Sequence, residues 1–171
     1  MPNLKRGPTP ATPSYKDLRI AVSIIKATAG AKADSTFASF DDNELSEWHN
    51  DGQLSTAWVE YDLEREAIVS EVTLKLNNFR SRTYPLRITI DGNEIFADTT
   101  QRSLGYFTAI CKPQKGKKIR IQLATLTKDQ EGNIMVEVSG KKLDDGVARD
   151  DKNAKGTLSI IEVEVYEKPK Y

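Results

Sequence analysis

The sequence predicts an all-β domain, an antiparallel sandwich or barrel of about eight or nine short strands. Three observations carry that expectation. Apolar and polar residues alternate with a period of two in segment after segment. Polar turn signals separate those segments. No segment sustains a helical period.

The elements follow in order. "LRIAVSIIKATA" (18–29) is rich in branched residues and reads as the first strand. "TAWVEYDL" (56–63) alternates, and Trp58 at its head is expected in the core. In "IVSEVTLKLN" (68–77), Val72, Leu74 and Leu76 share one face, with Thr73 and Lys75 on the other. "LRITIDG" sets Leu86, Ile88 and Ile90 against Arg87 and Thr89. "NEIFADT", "GYFTAIC", "KKIRIQLATL", "NIMVEVSG" and "LSIIEVEVYE" complete the series. Turns are marked by Asp91-Gly92-Asn93, Lys115-Gly116-Lys117, Glu131-Gly132-Asn133 and Asp144-Asp145-Gly146. The charged stretch 140–157 is expected to be a solvated excursion.

Length and charge narrow the function. The chain has 171 residues, enough for one domain with a substantial core. Pro2, Pro8, Pro10 and Pro13 cluster at the start, so residues 1–17 read as a linker and 18–171 as a single module of a larger chain. Lys plus Arg and Asp plus Glu are both 25, so no net charge draws the protein to nucleic acid. No apolar run is long enough to span a membrane, and the start has no apolar stretch of a signal peptide. The single cysteine, Cys111, follows Ala109-Ile110 and is expected to be buried.

The chemistry of most enzymes is missing. One histidine and one cysteine give no zinc-ligand spacing. "KGKK" lacks the glycine and hydroxyl of a phosphate loop. Nothing positions a Ser/His/Asp triad. Paired acids for glycoside hydrolysis are not excluded by counting, but a small sandwich rarely builds the deep cleft they use.

One stretch stands out. "SFDDNELSEWHNDG" (39–52) holds five acids, the only histidine and one of the two tryptophans. Carboxylates, an amide, a hydroxyl and backbone carbonyls within one tight loop suit calcium, although the EF-hand spacing is absent. A solvated polar turn explains the same composition.

The wider pattern resembles a known family. D-D-N-x-x-S-x-W is similar to the D-G-N-x-x-T-x-W loop of discoidin (coagulation factor V/VIII C-type) domains. These share the galactose-binding-like fold with family 32 carbohydrate-binding modules. "TAWVEYDLEREAIVSEVTLKL", "FRSRTYPLRITIDG", "GYFTAICKPQKGKKIRIQL" and "LSIIEVEVYE" resemble later family segments in the right order, over about residues 20 to 167. The resemblance implies a jelly-roll-like β-sandwich and one structural calcium. Its ligands here would be the Phe40 carbonyl, Asp41, Asn43, Ser46 and Glu162. Asp42 replaces the family's glycine, which puts a side chain where positive φ is needed.

The resemblance also implies a non-catalytic module that holds a polysaccharide-degrading hydrolase or lyase on its substrate. The location would be secreted, periplasmic or cell-surface. Trp48-His49 matches a dipeptide that places the histidine in the sugar site, and Trp48 itself is expected to pack under the loop. The loops "NNFRSRTYP" and "TTQRSLGYF" add Arg80, Arg82, Tyr84, Arg102 and Tyr106. If they converge, this basic, aromatic set favours an acidic glycan such as a uronate. The rivals are a spacer packed on a catalytic domain and a protein- or lipid-binding discoidin domain. The lipid-binding members present apolar loop spikes, and none is expected here.

Overall fold

The computed structural model describes residues 19–80, 82–101, 105–129 and 156–169. The linker, the "NIMVEVSG" segment, Arg102 and nearly all of the charged stretch 140–157 lie outside them. Among the described residues, ten strands run in order. They are β1 (Ile20–Val22), β2 (Ile24–Ala29), β3 (Trp48–His49), β4 (Trp58–Leu76), β5 (Arg82–Thr83), β6 (Pro85–Ile90), β7 (Asn93–Thr99), β8 (Phe107–Leu123), β9 (Lys128–Asp129) and β10 (Ser159–Glu167). Every pairing among the described residues is antiparallel. The main path is β1-β10-β4-β8-β6-β7, with β2 on β4 and β3 on β10; β5 and β9 form a small separate ladder.

Two long strands turn this path into two layers. β4 has 19 residues and β8 has 17. Their pairing breaks register between Asp62 and Ala67 and again between Val69 and Glu71, and such bulges bend strands. Residues 58–62 of β4 pair with the end of β8, and 67–74 with its beginning. Four segments of the sequence are therefore two bent strands. The first sequence segment divides the other way, into β1 and β2 at Ser23.

The core lies between the layers. Val59, Tyr61 and Leu63 enter it from one half of β4, and Val72, Leu74 and Leu76 from the other. Leu86, Ile88, Ile90, Ile119 and Ile121 are buried with them, as is Cys111. Burial raises the Cys111 thiol to about 12, so it stays protonated and inert.

Trp58 corrects one expectation. It is only half-buried and lies on the outer face with Glu60 and Asp62. The Arg120 guanidinium covers its ring at 3.9 Å from the centroid. The two are diagonal neighbours, since Trp58 pairs with Gln122 and Glu60 with Arg120.

Two turns fix the ends. Asp91 (φ 45°) and Gly92 (φ 83°) both sit in the left-handed region, as a two-residue hairpin turn requires. The Asp91 carboxylate accepts the backbone N–H groups of Lys117 (3.1 Å) and Lys118 (2.9 Å), clamping the hairpin onto β8. At the opposite end Gly30 lies against Thr56 and Trp58. A methyl group there would stand 2.6 Å from both the Thr56 carbonyl oxygen and Trp58 Nε1. Gly30→Ala is expected to cost about 1–3 kcal/mol in urea denaturation.

Candidate functional site

The loops away from the β6–β7 hairpin form one end of the sandwich. β3 pairs with the start of β10, through His49–Ser159 and Trp48–Ile160. The end of β4 pairs on the other side, Leu76 with Ile160. The Asn77 N–H then donates to the Ser159 carbonyl at 3.1 Å. His49 and the loop after β4 therefore flank the same turn of chain.

Alternation sorts the residues around His49. Trp48 is fully buried, and its Nε1 donates to the Ala31 carbonyl at 3.1 Å, so it packs under the loop as expected. His49 points out, with Nε2 2.6 Å from Lys32 Nζ. Asn50 turns in again and is 2% exposed. Its amide nitrogen reaches the carbonyls of Gln53 (2.9 Å) and Gly156 (2.7 Å) and the Thr56 hydroxyl (3.2 Å). Its oxygen accepts the Leu158 N–H at 2.9 Å. Asn50 thus ties the His49 loop to the lead-in of β10. It was not among the expected site residues, although the Trp-His-Asn alternation points to it.

The loop after β4 divides. Arg80 is exposed, its guanidinium 5.9 Å from the Phe79 ring centroid. Arg82 is half-buried in β5, opposite Asp129. Tyr84 does not line a ligand surface. It is fully buried, and its hydroxyl donates to the Asn77 carbonyl at 2.8 Å, bracing the loop from beneath. Its position continues the inward phase of Leu86, Ile88 and Ile90.

Tyr106 directly precedes β8 and is 40% exposed. Its hydroxyl donates to Glu44 Oε1 at 3.0 Å, and Lys75 Nζ donates to the other oxygen of the same carboxylate. Those two bonds hold the Glu44 carboxyl below its usual range, Lys75 contributing more. Burial and then the Glu44 carboxylate push the Tyr106 phenol to about 12.

The loop proposed for a cation is closed by its own hydrogen bonds. Asp41 accepts the Asn43 N–H (3.0 Å) and the Ser46 hydroxyl (2.7 Å), and Asn43 Oδ1 accepts the Leu45 N–H (3.1 Å). Asp42 takes φ 56°, so it adopts the glycine-like conformation its position demands. The Phe40 ring packs edge-on against Tyr61. Glu162, on β10, faces this loop. It is 3% exposed, and Oε2 has no hydrogen-bond partner in the protein. Burial, then the Asp42 and Asp41 carboxylates, raise its carboxyl to about 7. Phe40, Asp42, Glu162 and Glu164 border a cavity of about 370 Å³. Among the described residues no three His, Cys, Asp or Glu side chains form a metal cluster, so a cation here would need neutral oxygens as well. An orphaned, buried carboxylate oxygen beside two further acids fits such an ion.

No family model and no curated protein matches the sequence. Solved structures do match. "Truncated AlyQ with CBM32 and alginate lyase domains" superposes with a TM-score of 0.66 at 16% identity, over 90% of this chain and 34% of that one. The chain therefore spans about a third of that protein. "CBM32 of AlyQ in complex with 4,5-unsaturated mannuronic acid" gives 0.61 at 18% identity, over 85% and 97% of the two chains. A pectin-binding carbohydrate-binding module gives 0.55 at 13%, over 84% and 91%. The fold is that of family 32 carbohydrate-binding modules. At these identities it is the architecture that is shared. Within this fold His49 and Arg80 face outward and Tyr84 is taken into the core.

Proposed function

We propose that this chain is a non-catalytic carbohydrate-binding module that holds an attached polysaccharide-degrading enzyme near its substrate. The observation that carries the reading is the placement of His49 and Arg80, both exposed on the loop end of a family 32 fold. The module would act where polysaccharide is met, in a secreted, periplasmic or cell-surface enzyme. Strands β1 and β10 pair as Ile20–Glu167, so the chain enters and leaves side by side, away from the loop end. A catalytic domain tethered there leaves the loop end free to meet polymer, and tethering raises effective concentration without new contacts.

Arginine and histidine favour an acidic glycan. A guanidinium matches a carboxylate with two parallel hydrogen bonds. The two AlyQ structures and the pectin-binding module bring uronates forward as the first class to try. An affinity between micromolar and millimolar, about −8 to −4 kcal/mol, is expected. A glycan array that includes alginate and pectin fragments tests the reading. Arg80→Ala is expected to weaken binding at least about tenfold, roughly 1.4 kcal/mol, without lowering the melting temperature. Unchanged binding in Arg80→Ala and His49→Ala together removes both from the site.

The cation belongs to the same proposal. Calcium would be held by the Phe40 carbonyl, Asp41, Asn43, Ser46 and Glu162, supplying positive charge to a buried carboxylate. Its role is to fasten the loop to β10, not to take part in chemistry.

A spacer packed on a neighbouring domain is the second reading, and one observation favours it. Leu45, at the tip of the cation loop, is 97% exposed and Phe37 is 64% exposed. The sequence raised no expectation of an apolar loop tip. A folded protein that binds nothing on the array but binds its catalytic neighbour would establish the spacer.

A further inference from the structure

We infer that the glycan site has a second subsite, centred on Glu44, Lys75 and Tyr106, set across the sheet from His49 so that the module grips a length of polymer rather than a single sugar. This rests on the glycan-binding reading above. The strand order β3-β10-β4-β8 fixes the spacing. His49 is on β3, Lys75 on β4, and Tyr106 directly precedes β8. Three inter-strand steps separate His49 from Tyr106, about 14 Å. One monosaccharide does not bridge that distance.

The side chains supply what a pyranose ring needs. The Lys75 ammonium lies 5.6 Å from the Tyr106 ring centroid, and the phenol hydroxyl is bonded to Glu44. Both neighbours hold the ring at one setting, so little freedom is lost when a sugar stacks on it. The Glu44 side chain is 54% exposed, which leaves carboxylate lone pairs for sugar hydroxyls, and the Lys75 charge offsets its own. The charge-balanced pair suits a hydroxyl-bearing ring. Below Tyr106 a groove of about 410 Å³ continues the surface, lined by Phe96, Asp98, Gln101, Phe107, Thr108 and Ile110. Ile110 is 70% exposed there. Aromatic and aliphatic walls with an amide, hydroxyls and the Asp98 carboxylate between them match the alternating apolar faces and hydroxyl edges of a saccharide chain.

The three residues come from distant parts of the chain, Glu44 from the loop that leads into β3 and Lys75 and Tyr106 from β4 and the approach to β8. Glu44 belongs to the turn that also carries Asn43 and Ser46, so the cation loop and the stacking ring share one hydrogen-bonded unit. Thr73 and Thr108, next in line on the same face, meet hydroxyl to hydroxyl at 3.4 Å and close the surface behind Tyr106.

Calorimetric titration of the whole chain with mannuronate, galacturonate and galactose oligosaccharides, from monosaccharide to hexasaccharide, tests this. Affinity for the bound series is expected to rise at least about tenfold with length, because the second contact is intramolecular once the first is made. Tyr106→Ala and Glu44→Gln are expected to erase the rise, and His49→Ala to weaken every length. Tyr106→Phe keeps the ring and loses the Glu44 bond, so it should fall between. Equal affinity for short and long chains overturns the second subsite, as does a rise with length that survives in a folded Tyr106→Ala protein. No binding at any length overturns the glycan reading as well.

Discussion

Calcium is expected to raise the melting temperature more at about pH 8 than at about pH 5, and Glu162→Gln is expected to remove that gain. The Glu162 carboxyl has an ordinary value of 4.5 and is raised to about 7 in the folded protein, first by burial and then by Asp42 and Asp41. Between those values the folded chain holds a proton that the unfolded chain has released. Stability therefore falls as pH rises through the window, and the full cost stands above pH 7. A shift of that size amounts to at most about 3 kcal/mol. In chelator the native protein should lose melting temperature from pH 5 to pH 8. A divalent ion beside the orphaned Oε2 offsets the cost and flattens the profile. Glu162→Gln carries no charge, so in chelator above pH 7 it should exceed the parent, by up to about 2 kcal/mol once imperfect amide bonding is allowed for. Thermal unfolding followed by circular dichroism at both pH values, with calcium and with chelator, reads all of this. A parent protein that calcium leaves unmoved at either pH ends the cation proposal. A glutamine variant weaker than the parent in chelator at high pH ends the account of the buried charge.

The same residues show what the sequence made legible. Strand phase carried most of the information. Trp48, Asn50, Val59, Tyr61, Leu63, Leu86, Ile88 and Ile90 all fall inward on the beat of two. The two misplacements ignored that beat in favour of residue type. Trp58 keeps time with Glu60 and Asp62 and so faces outward, although it is aromatic. Tyr84 keeps time with Leu86 and Ile88 and so faces inward, although it lies among arginines. The bends in β4 and β8 were not visible, because the exposed run Glu64-Arg65-Glu66 at the corner has the composition of a turn. The turn of the loop proposed for a cation was legible locally, since Asp and Asn side chains bonding their own backbone two residues on are short-range events. Its partner Glu162 lies far along the chain, and only resemblance to a family named it. Tyr106 was expected at a sugar site from its loop, but Glu44 and Lys75, which surround it, had no such guide. Their meeting depends on strand order, which spacing does not encode.

Asn50→Ala is expected to destabilise the protein by about 3 kcal/mol, and Asn50→Asp by more at neutral pH. The alanine variant strips the Gln53 and Gly156 carbonyls of their donor and leaves the Leu158 N–H without its acceptor, in a site closed to water. The aspartate keeps the acceptor for Leu158 but turns a carboxylate oxygen toward two carbonyl oxygens. A buried charge without a partner is the costlier defect. Acid should rescue it in part, because a protonated carboxyl donates one of the lost bonds. The aspartate variant should therefore gain stability relative to the parent as pH falls toward about 4. Urea denaturation at both pH values measures this, and an alanine variant within about 0.5 kcal/mol of the parent would remove the tie from the account. The comparison with His49 separates structure from recognition. Asn50 fixes the loop from inside while His49 faces outward, one residue away. His49→Ala should lose glycan affinity at unchanged stability, whereas Asn50→Ala should lose both, because the histidine's setting depends on the buried amide beneath it.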